Sequence, residues 1–307
     1  MKRIIFMGTP QIAVPSLQLL IDSGFEIPLA ISQPDRPKGR GGKVQPTPVK
    51  EAALAAGIEV YQPEKVKNNP EVLEKLKSLN ADFFAVVAYG KILPKEILEV
   101  PHFAPINVHF SLLPLYRGAA PVNWAIMNGD ERTGVSTMKM DIGMDTGDIM
   151  LTEETPIDRK TDAELAAELA VTGAKLLIKT INEYDSITPT PQDHDSATVA
   201  PMMRKEDGEI DWNSSAISIE RLIRAFSVWP TAHTYLDGKL FKIYSADIDP
   251  KGAAAGVVYN VTKSSFSVGT GSGGLIIKEI QPEGKRRMAV ADFLAGYKLN
   301  GGERFGR

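Results

Sequence analysis

Phe83-Phe84-Ala85-Val86-Val87-Ala88 is the stretch on which the fold turns. A strand with one face in water alternates apolar and polar residues, whereas a strand covered on both faces has no polar side to show. This run has none, so it reads as a central strand with helices packed above and below. The flanking segments agree. Residues 3–8 read as a first strand, and Val14, Leu17, Leu19, Leu20 and Ile21 fall at helical spacing over 14–22. A second strand over 25–33, a helix over 48–56, a short strand at 59–61 and a helix over 70–79 lead up to the central run. Ala104-Pro105-Ile106 opens the next strand. Strands alternating with helices imply parallel pairing with helices on both faces. The expected fold class is therefore α/β, with a doubly wound, Rossmann-like first domain.

The pattern changes downstream. A helix is expected over about 120–128, then two strand-like segments (134–140 and 148–156) around a glycine-rich loop, then a helix over 162–184. Pro189 and Pro191 cannot continue that helix, because each removes a donor and biases its neighbour toward extended backbone. The domain boundaries follow: 1–189 for the Rossmann-like domain, 190–208 for a linker, 209–307 for a second domain. The second domain reads as short strands at 232–236, 240–246, 256–261, 265–269 and 274–280, with one helix at 215–226. Short strands in series suggest a small OB-like β-barrel.

The chain has 307 residues, 43% of them hydrophobic and 24% charged, which suits a soluble globular enzyme. It has no cysteine, so disulfides, thiolate metal sites and cysteine nucleophiles are excluded. His102, His194 and His233 lack companions at metal-ligand spacing, and no metal is expected. No apolar stretch approaches the roughly 20 residues that cross a bilayer. The apolar run before Gly8 is too brief for a signal peptide, so a cytoplasmic protein without membrane contact is expected. No heptad or large apolar patch can be named, and a monomer is the expected state. The net charge of −3 conceals an asymmetry: residues 209–307 hold 13 Lys/Arg against 10 Asp/Glu. A basic second domain behind an acidic first one hints at a polyanionic partner.

The chemistry concentrates in Asn107-Val108-His109-Phe110-Ser111-Leu112-Leu113-Pro114-Leu115-Tyr116-Arg117-Gly118. On an extended strand, side chains two apart share a face. Asn107 and His109 would then sit side by side at the strand's carboxyl end, with Val108 turned into the core. An amide that can hold an oxyanion beside an imidazole that can move a proton is a minimal kit for acyl chemistry. In the loop Met140–Asp148, two glycines bracket Asp145 and let the backbone present its carboxylate at a tip. A carboxylate beside an imidazole fixes its tautomer and raises its basicity. No nucleophile accompanies them, since Ser111 lies outside any G-x-S-x-G elbow. Direct transfer is favoured over a covalent intermediate. These residues alone admit a plainer reading as well, in which Asn107 and His109 satisfy loop backbone and Asp145 binds its own hairpin.

Arg36, Lys38, Arg40 and Lys43 lie among Gly39, Gly41 and Gly42, and Lys285-Arg286-Arg287 follows Gly284. Both stretches could meet phosphates or could be solvated loops. The Gly269–Gly274 run sits between two β-like segments with no helix after it, and reads as a hairpin turn. Gly8-Thr9-Pro10 lacks the later glycines of a dinucleotide fingerprint, which argues against NAD.

Several of these stretches together resemble one family. They are Asn107 to Pro114, Arg117-Gly118-Ala119-Ala120-Pro121, Asp141 to Asp148, Gln33-Pro34-Asp35-Arg36-Pro37 with Gly39-Arg40-Gly41, Val86-Val87-Ala88-Tyr89-Gly90, and Arg224-Ala225-Phe226 with Trp229-Pro230. They resemble the formyltransferases that use 10-formyltetrahydrofolate, and the resemblance spans both domains. It implies a Rossmann-like formyltransferase domain followed by an OB-like barrel that contacts tRNA. It also implies a catalytic trio of Asn107, His109 and Asp145. A folate site is implied at Ser111, Leu112, Leu113 and Pro114, with Val87, Ala88, Tyr89 and Gly90 beside it. The implied acceptor is initiator methionyl-tRNA, approached by Arg36, Lys38, Arg40, Lys43, Lys285, Arg286 and Arg287. The alternative acceptor on the same scaffold is an amino-sugar nucleotide. Phe110 departs from the family's small residue, and the pocket beside His109 is expected to change shape accordingly.

Overall fold

The computed structural model describes residues 1–38 and 42–306; Gly39, Arg40, Gly41, Arg307 and the side chain of Lys38 lie outside the described residues. The chain forms two compact units, Met1–Pro121 with Arg132–Pro156 and Ala166–Ala200, and Val122–Glu131 with Ile157–Leu165 and Pro201–Arg307.

The first unit is built on a seven-stranded sheet. Its order is Ile149–Pro156, Arg132–Lys139, Ala104–His109, Phe83–Val87, Arg3–Gly8, Glu26–Ile31, Val60–Tyr61. Phe83–Val87 occupies the middle position and is buried along its whole length, as its unbroken apolarity requires. Phe84 and Val86 pack with Val72 and Leu76 of the helix Pro70–Ser78. Asn69 caps that helix by accepting the Val72 N–H at 3.3 Å, and Thr47 caps Pro48–Ala55 by accepting that of Lys50 at 3.2 Å. The five strands from Ala104–His109 to Val60–Tyr61 pair in parallel. Arg132–Lys139 and Ile149–Pro156 are joined antiparallel at the other edge.

From the first strand the chain runs outward to Glu26–Ile31 and Val60–Tyr61, then returns to the first strand's other side at Phe83–Val87. That reversal splits the loops at the carboxyl ends of Arg3–Gly8 and Phe83–Val87, and opens a crevice where ligands of such sheets bind. Gly8 lies opposite Val87 in the ladder. Ala104–His109 is the next strand over, so its carboxyl end borders the same crevice.

Val108 and Phe110 lie on the opposite face from Asn107 and His109. Both meet the long helix Asp162–Asn182 at Gly173, where an added Cβ would stand 2.8 Å from Val108 Cγ1 and 3.5 Å from Phe110 Cε1. Phe110 is thus accommodated by a missing side chain behind the sheet, and does not shape the pocket beside His109. Gly173→Leu overpacks this seam and is expected to destabilise the protein by about 1–3 kcal/mol, read as a lower urea midpoint at unchanged slope.

Two loop expectations change. Residues 33–48 contain a small hairpin, Arg36–Lys38 against Lys43–Gln45. Its base is held by Asp35, whose carboxyl is kept below the usual range by a hydrogen bond from Gln62 and by Lys50. Residues 190–208, expected as a linker, divide. Thr190 exchanges backbone hydrogen bonds with Ile149 at 2.8 and 2.9 Å, and Val199–Ala200 pairs in parallel with Arg117–Gly118. Extended backbone at Thr190 and at Val199–Ala200 offers donors and acceptors, and the first unit uses them.

The second unit is an antiparallel sheet in the order His233–Leu236, Lys239–Asp249, Gly274–Pro282, Ser267–Gly269, Val258–Tyr259, with Met288–Ala289 also on Gly274–Pro282. The expected strands are all present, and Gly269–Gly274 is the hairpin turn between two of them. A register shift at Ser245 interrupts the ladder between the longest strand and Gly274–Pro282. Phe241, Phe266, Phe293 and Phe305 form an aromatic core with Trp212. Phe293 comes from a seven-residue helix, Val290–Gly296, too short for helical periodicity to reveal in the sequence.

Candidate active site

Asn107 and His109 project from one face at the end of Ala104–His109, and both are largely buried. The His109 ring is gripped on two sides. Its Nε2 lies 2.9 Å from the Tyr116 carbonyl. A carbonyl can only accept, so Nε2 carries the proton and Nδ1 is left as the basic nitrogen. Nδ1 faces Asp145 Oδ2 at 3.7 Å. That gap is too long for a hydrogen bond and leaves the ring nitrogen facing the carboxylate. An ammonium or imidazolium proton delivered there would satisfy both. The Asn107 amide makes no hydrogen bond to a described residue, so its donors are unspent.

Asp145 sits at φ 56°, a left-handed conformation that disfavours a side chain. Three contacts hold it there. Its Oδ2 accepts the Gly118 N–H at 2.8 Å. Its carbonyl, and that of Gly147, accept from the Gln192 side chain at 2.9 and 2.6 Å. A Cβ at Gly147 would come 1.9 Å from Lys139 O, so the residue after the turn has no room for a side chain. The expected trio is thus brought together: two members by strand periodicity, the third by a strained loop.

The expected folate segments divide by accessibility. The Ser111 hydroxyl is wholly buried and donates to Leu115 O at 2.6 Å, so it is committed to the loop itself. Ser136 ties that loop to the neighbouring strand, donating to Ser111 O at 2.7 Å and accepting from Leu113 N at 3.0 Å. Leu113 is buried, Leu112 and Pro114 are half-buried, and Leu115 is exposed. Across the crevice Val87 is buried, whereas Ala88 and Gly90, both at positive φ, are exposed. Tyr89 goes the other way. Its ring packs with Met7, Ile31, Val72 and Leu76, its hydroxyl is buried without a partner among the described residues, and burial pushes its pKa up to about 12. Only its backbone borders the crevice, and its carbonyl already accepts from Thr9 Oγ1 at 3.0 Å and Gln33 Nε2 at 3.1 Å.

The basic residues also divide. Arg36 and Lys43 are exposed on the hairpin and make no ion pair with a described residue; Arg40 lies outside the described residues, as does the Lys38 side chain. In the second unit Lys285 and Arg286 are exposed. Arg287 is committed, paired with Glu279 and stacked 4.4 Å above the Tyr244 ring. Among the described residues no three metal-ligating side chains cluster, and no helix is long and apolar enough to cross a membrane.

Sequence reasoning missed Gln33, Ser136 and Gln192. Gln33 lay inside a family motif without a role, whereas Ser136 and Gln192 carry no local signal, because their partners are 25 and 47 residues away.

Comparison with known proteins places this geometry. A family model described as formyl transferase matches residues 1–181, and one described as formyl transferase, C-terminal domain, matches 202–298. The chain is 45% identical over 308 residues to the methionyl-tRNA formyltransferase of Citrifermentans bemidjiense, covering 99% of this chain and 96% of that protein. It is 47% identical over 302 residues to the methionyl-tRNA formyltransferase of Clostridium novyi, covering 97% of each. Among solved structures, WlaRD, a sugar 3N-formyl transferase determined in the presence of dTDP and 5-N-formyl-THF, superposes with a TM-score of 0.67. It shares 22% identity over 93% of this chain and 99% of that one, and the likeness is one of fold.

Proposed function

This chain belongs to the formyl transferase family, and from that premise we propose that it moves the formyl group of 10-formyltetrahydrofolate to the α-amino group of initiator methionyl-tRNA, supplying N-formylmethionyl-tRNA for translation initiation. The observation that carries the chemistry is the His109 Nδ1 facing Asp145 at 3.7 Å beside the unspent Asn107 amide. The acceptor follows from the two relatives above, each named for methionyl-tRNA and matched over nearly its full length.

The steps follow from the residues. An aminoacyl ester's α-ammonium, with an unperturbed pKa of about 8, gives up a proton toward His109 Nδ1, and Asp145 stabilises the imidazolium. The neutral amine attacks the formyl carbon, a C–N bond forms, and Asn107 donates to the resulting oxyanion. The bond from that carbon to N10 then breaks as His109 returns the proton to N10, and the attacking nitrogen releases its surplus proton to solvent, leaving the neutral formamide. The folate lies along Leu112 to Leu115 and across to Ala88 and Gly90, meeting Ser111, Val87 and Tyr89 through backbone only. Residues 1–189 carry the chemistry, and residues 209–307 add to the tRNA contact. Arg36, Lys38, Arg40, Lys43, Lys285 and Arg286 meet tRNA phosphates, with Arg287 bracing the turn that presents the last two. The enzyme works as a cytoplasmic monomer without a metal.

The test is transfer of labelled formyl from 10-formyltetrahydrofolate to methionyl-tRNA, with free methionine and an amino-sugar nucleotide as controls. Label is expected on the tRNA alone, and label on the sugar nucleotide alone would overturn the reading. Replacing Lys285 and Arg286 together with alanine is expected to raise KM for tRNA and leave KM for folate unchanged. The slope of log affinity against log salt should flatten by about one for each phosphate no longer neutralised.

A further inference from the structure

We infer that Gln192 is a positioning residue, holding the Asp145 carboxylate against the His109 imidazole. The inference rests on the catalytic reading of His109 and Asp145 given above. Gln192 comes from the segment that follows Pro191, is 6% exposed, and is saturated in both directions. Its Oε1 accepts from Arg117 Nε at 3.0 Å and Nη2 at 2.7 Å. Its Nε2 donates to the carbonyls of Asp145 and Gly147 at 2.9 and 2.6 Å. The amide's orientation follows from chemistry, because a guanidinium has only donors and a carbonyl only accepts. No other terminal group of that size meets both demands at once.

The contacts form a closed frame. Arg117 is itself buried, its Nη2 also donates to His194 Nδ1 at 3.1 Å, and its backbone N–H reaches Thr198 O at 2.9 Å. The next residue, Gly118, supplies the N–H that Asp145 Oδ2 accepts at 2.8 Å. Gln192 therefore grips the Asp145 backbone with one end and, through Arg117, the donor of the Asp145 carboxylate with the other. A residue at φ 56° relaxes unless its surroundings over-determine it. Without the two Nε2 bonds, the Asp145 and Gly147 carbonyls lose their partner and the carboxylate is free to leave the imidazole. A displacement of about 1 Å at a reacting group lowers a rate by about 100-fold.

Two replacements separate this role from packing. Gln192→Met keeps length and loses every hydrogen bond. Gln192→Glu keeps the acceptor for Arg117 and turns its other oxygen, which cannot donate, toward two carbonyls. Both are expected to lower kcat by about 10- to 100-fold, with KM for folate and tRNA within about twofold and melting above the assay temperature. Wild-type kcat in Gln192→Glu would show that only the Arg117 contact matters, and would overturn the inference. The decisive comparison adds Asp145→Ala, in which Gln192→Met should cost nothing further, because the group it positions is gone. Multiplying losses would assign Gln192 a separate role and overturn the inference as well. An Asp145→Ala single variant with full kcat would instead overturn the catalytic reading itself.

Discussion

Replacing His109 with alanine is expected to lower kcat for formyl transfer by about 100- to 10,000-fold, the range lost with a positioned general acid–base. KM for either substrate should change little, because the imidazole's work is moving a proton rather than holding a ligand. The loss falls on two steps at once, since the same nitrogen receives the proton of the ammonium and returns it to N10. Folding stability should fall as well. The Tyr116 carbonyl, which lies 2.9 Å from Nε2, is left without that partner inside the loop. Losing one such hydrogen bond costs about 0.5–1.5 kcal/mol, visible as a lower denaturation midpoint. Single-turnover measurement separates chemistry from binding, and a variant with wild-type kcat and normal binding would remove His109 from the mechanism.

Asn107→Ala should be nearly as slow and structurally quiet. Losing one oxyanion donor costs about 100- to 1,000-fold in kcat, or about 2.7–4 kcal/mol of transition-state stabilisation. Because the Asn107 amide makes no hydrogen bond to a described residue, its removal orphans no group in the fold. The melting transition should stay close to wild type, in contrast to His109→Ala. Asn107→Asp is expected to be slower still, since it sets a carboxylate against a developing negative charge. An Asn107→Ala enzyme with unchanged kcat but a lowered melting temperature would make the residue structural.

The site was legible wherever its signal is local. Asn107 and His109 share a face because strand side chains alternate, so two positions in one strand are enough to pair them. Asp145 announced itself through the glycines on either side, and Gly147 does leave no room for a side chain beside Lys139 O. The same local rules say nothing about what lies behind a strand. Phe110 looked like a change beside His109, yet it lies with Val108 on the far face, where Gly173 of a distant helix makes room. Tyr89 sat in a motif expected at the folate, yet its ring turns into the core because the apolar helix side is where an aromatic ring is buried at least cost. Arg287 looks in sequence like its two basic neighbours, but in the fold Glu279 and the Tyr244 ring claim it.

The unbroken apolarity of 83–88, the helical spacing around it and the change to short strands after 209 are local properties, and they alone determined the α/β class, the middle place of Phe83–Val87 and the β-rich second domain. Strand periodicity likewise determined the Asn107 and His109 pair. The placing of Asp145 opposite His109 Nδ1, the frame of Gln192 and Arg117 around it, and the choice between buried and accessible members of each motif belong to the tertiary structure. Each depends on partners tens of residues away, which hydrogen bonding and packing bring within reach only when the chain is folded.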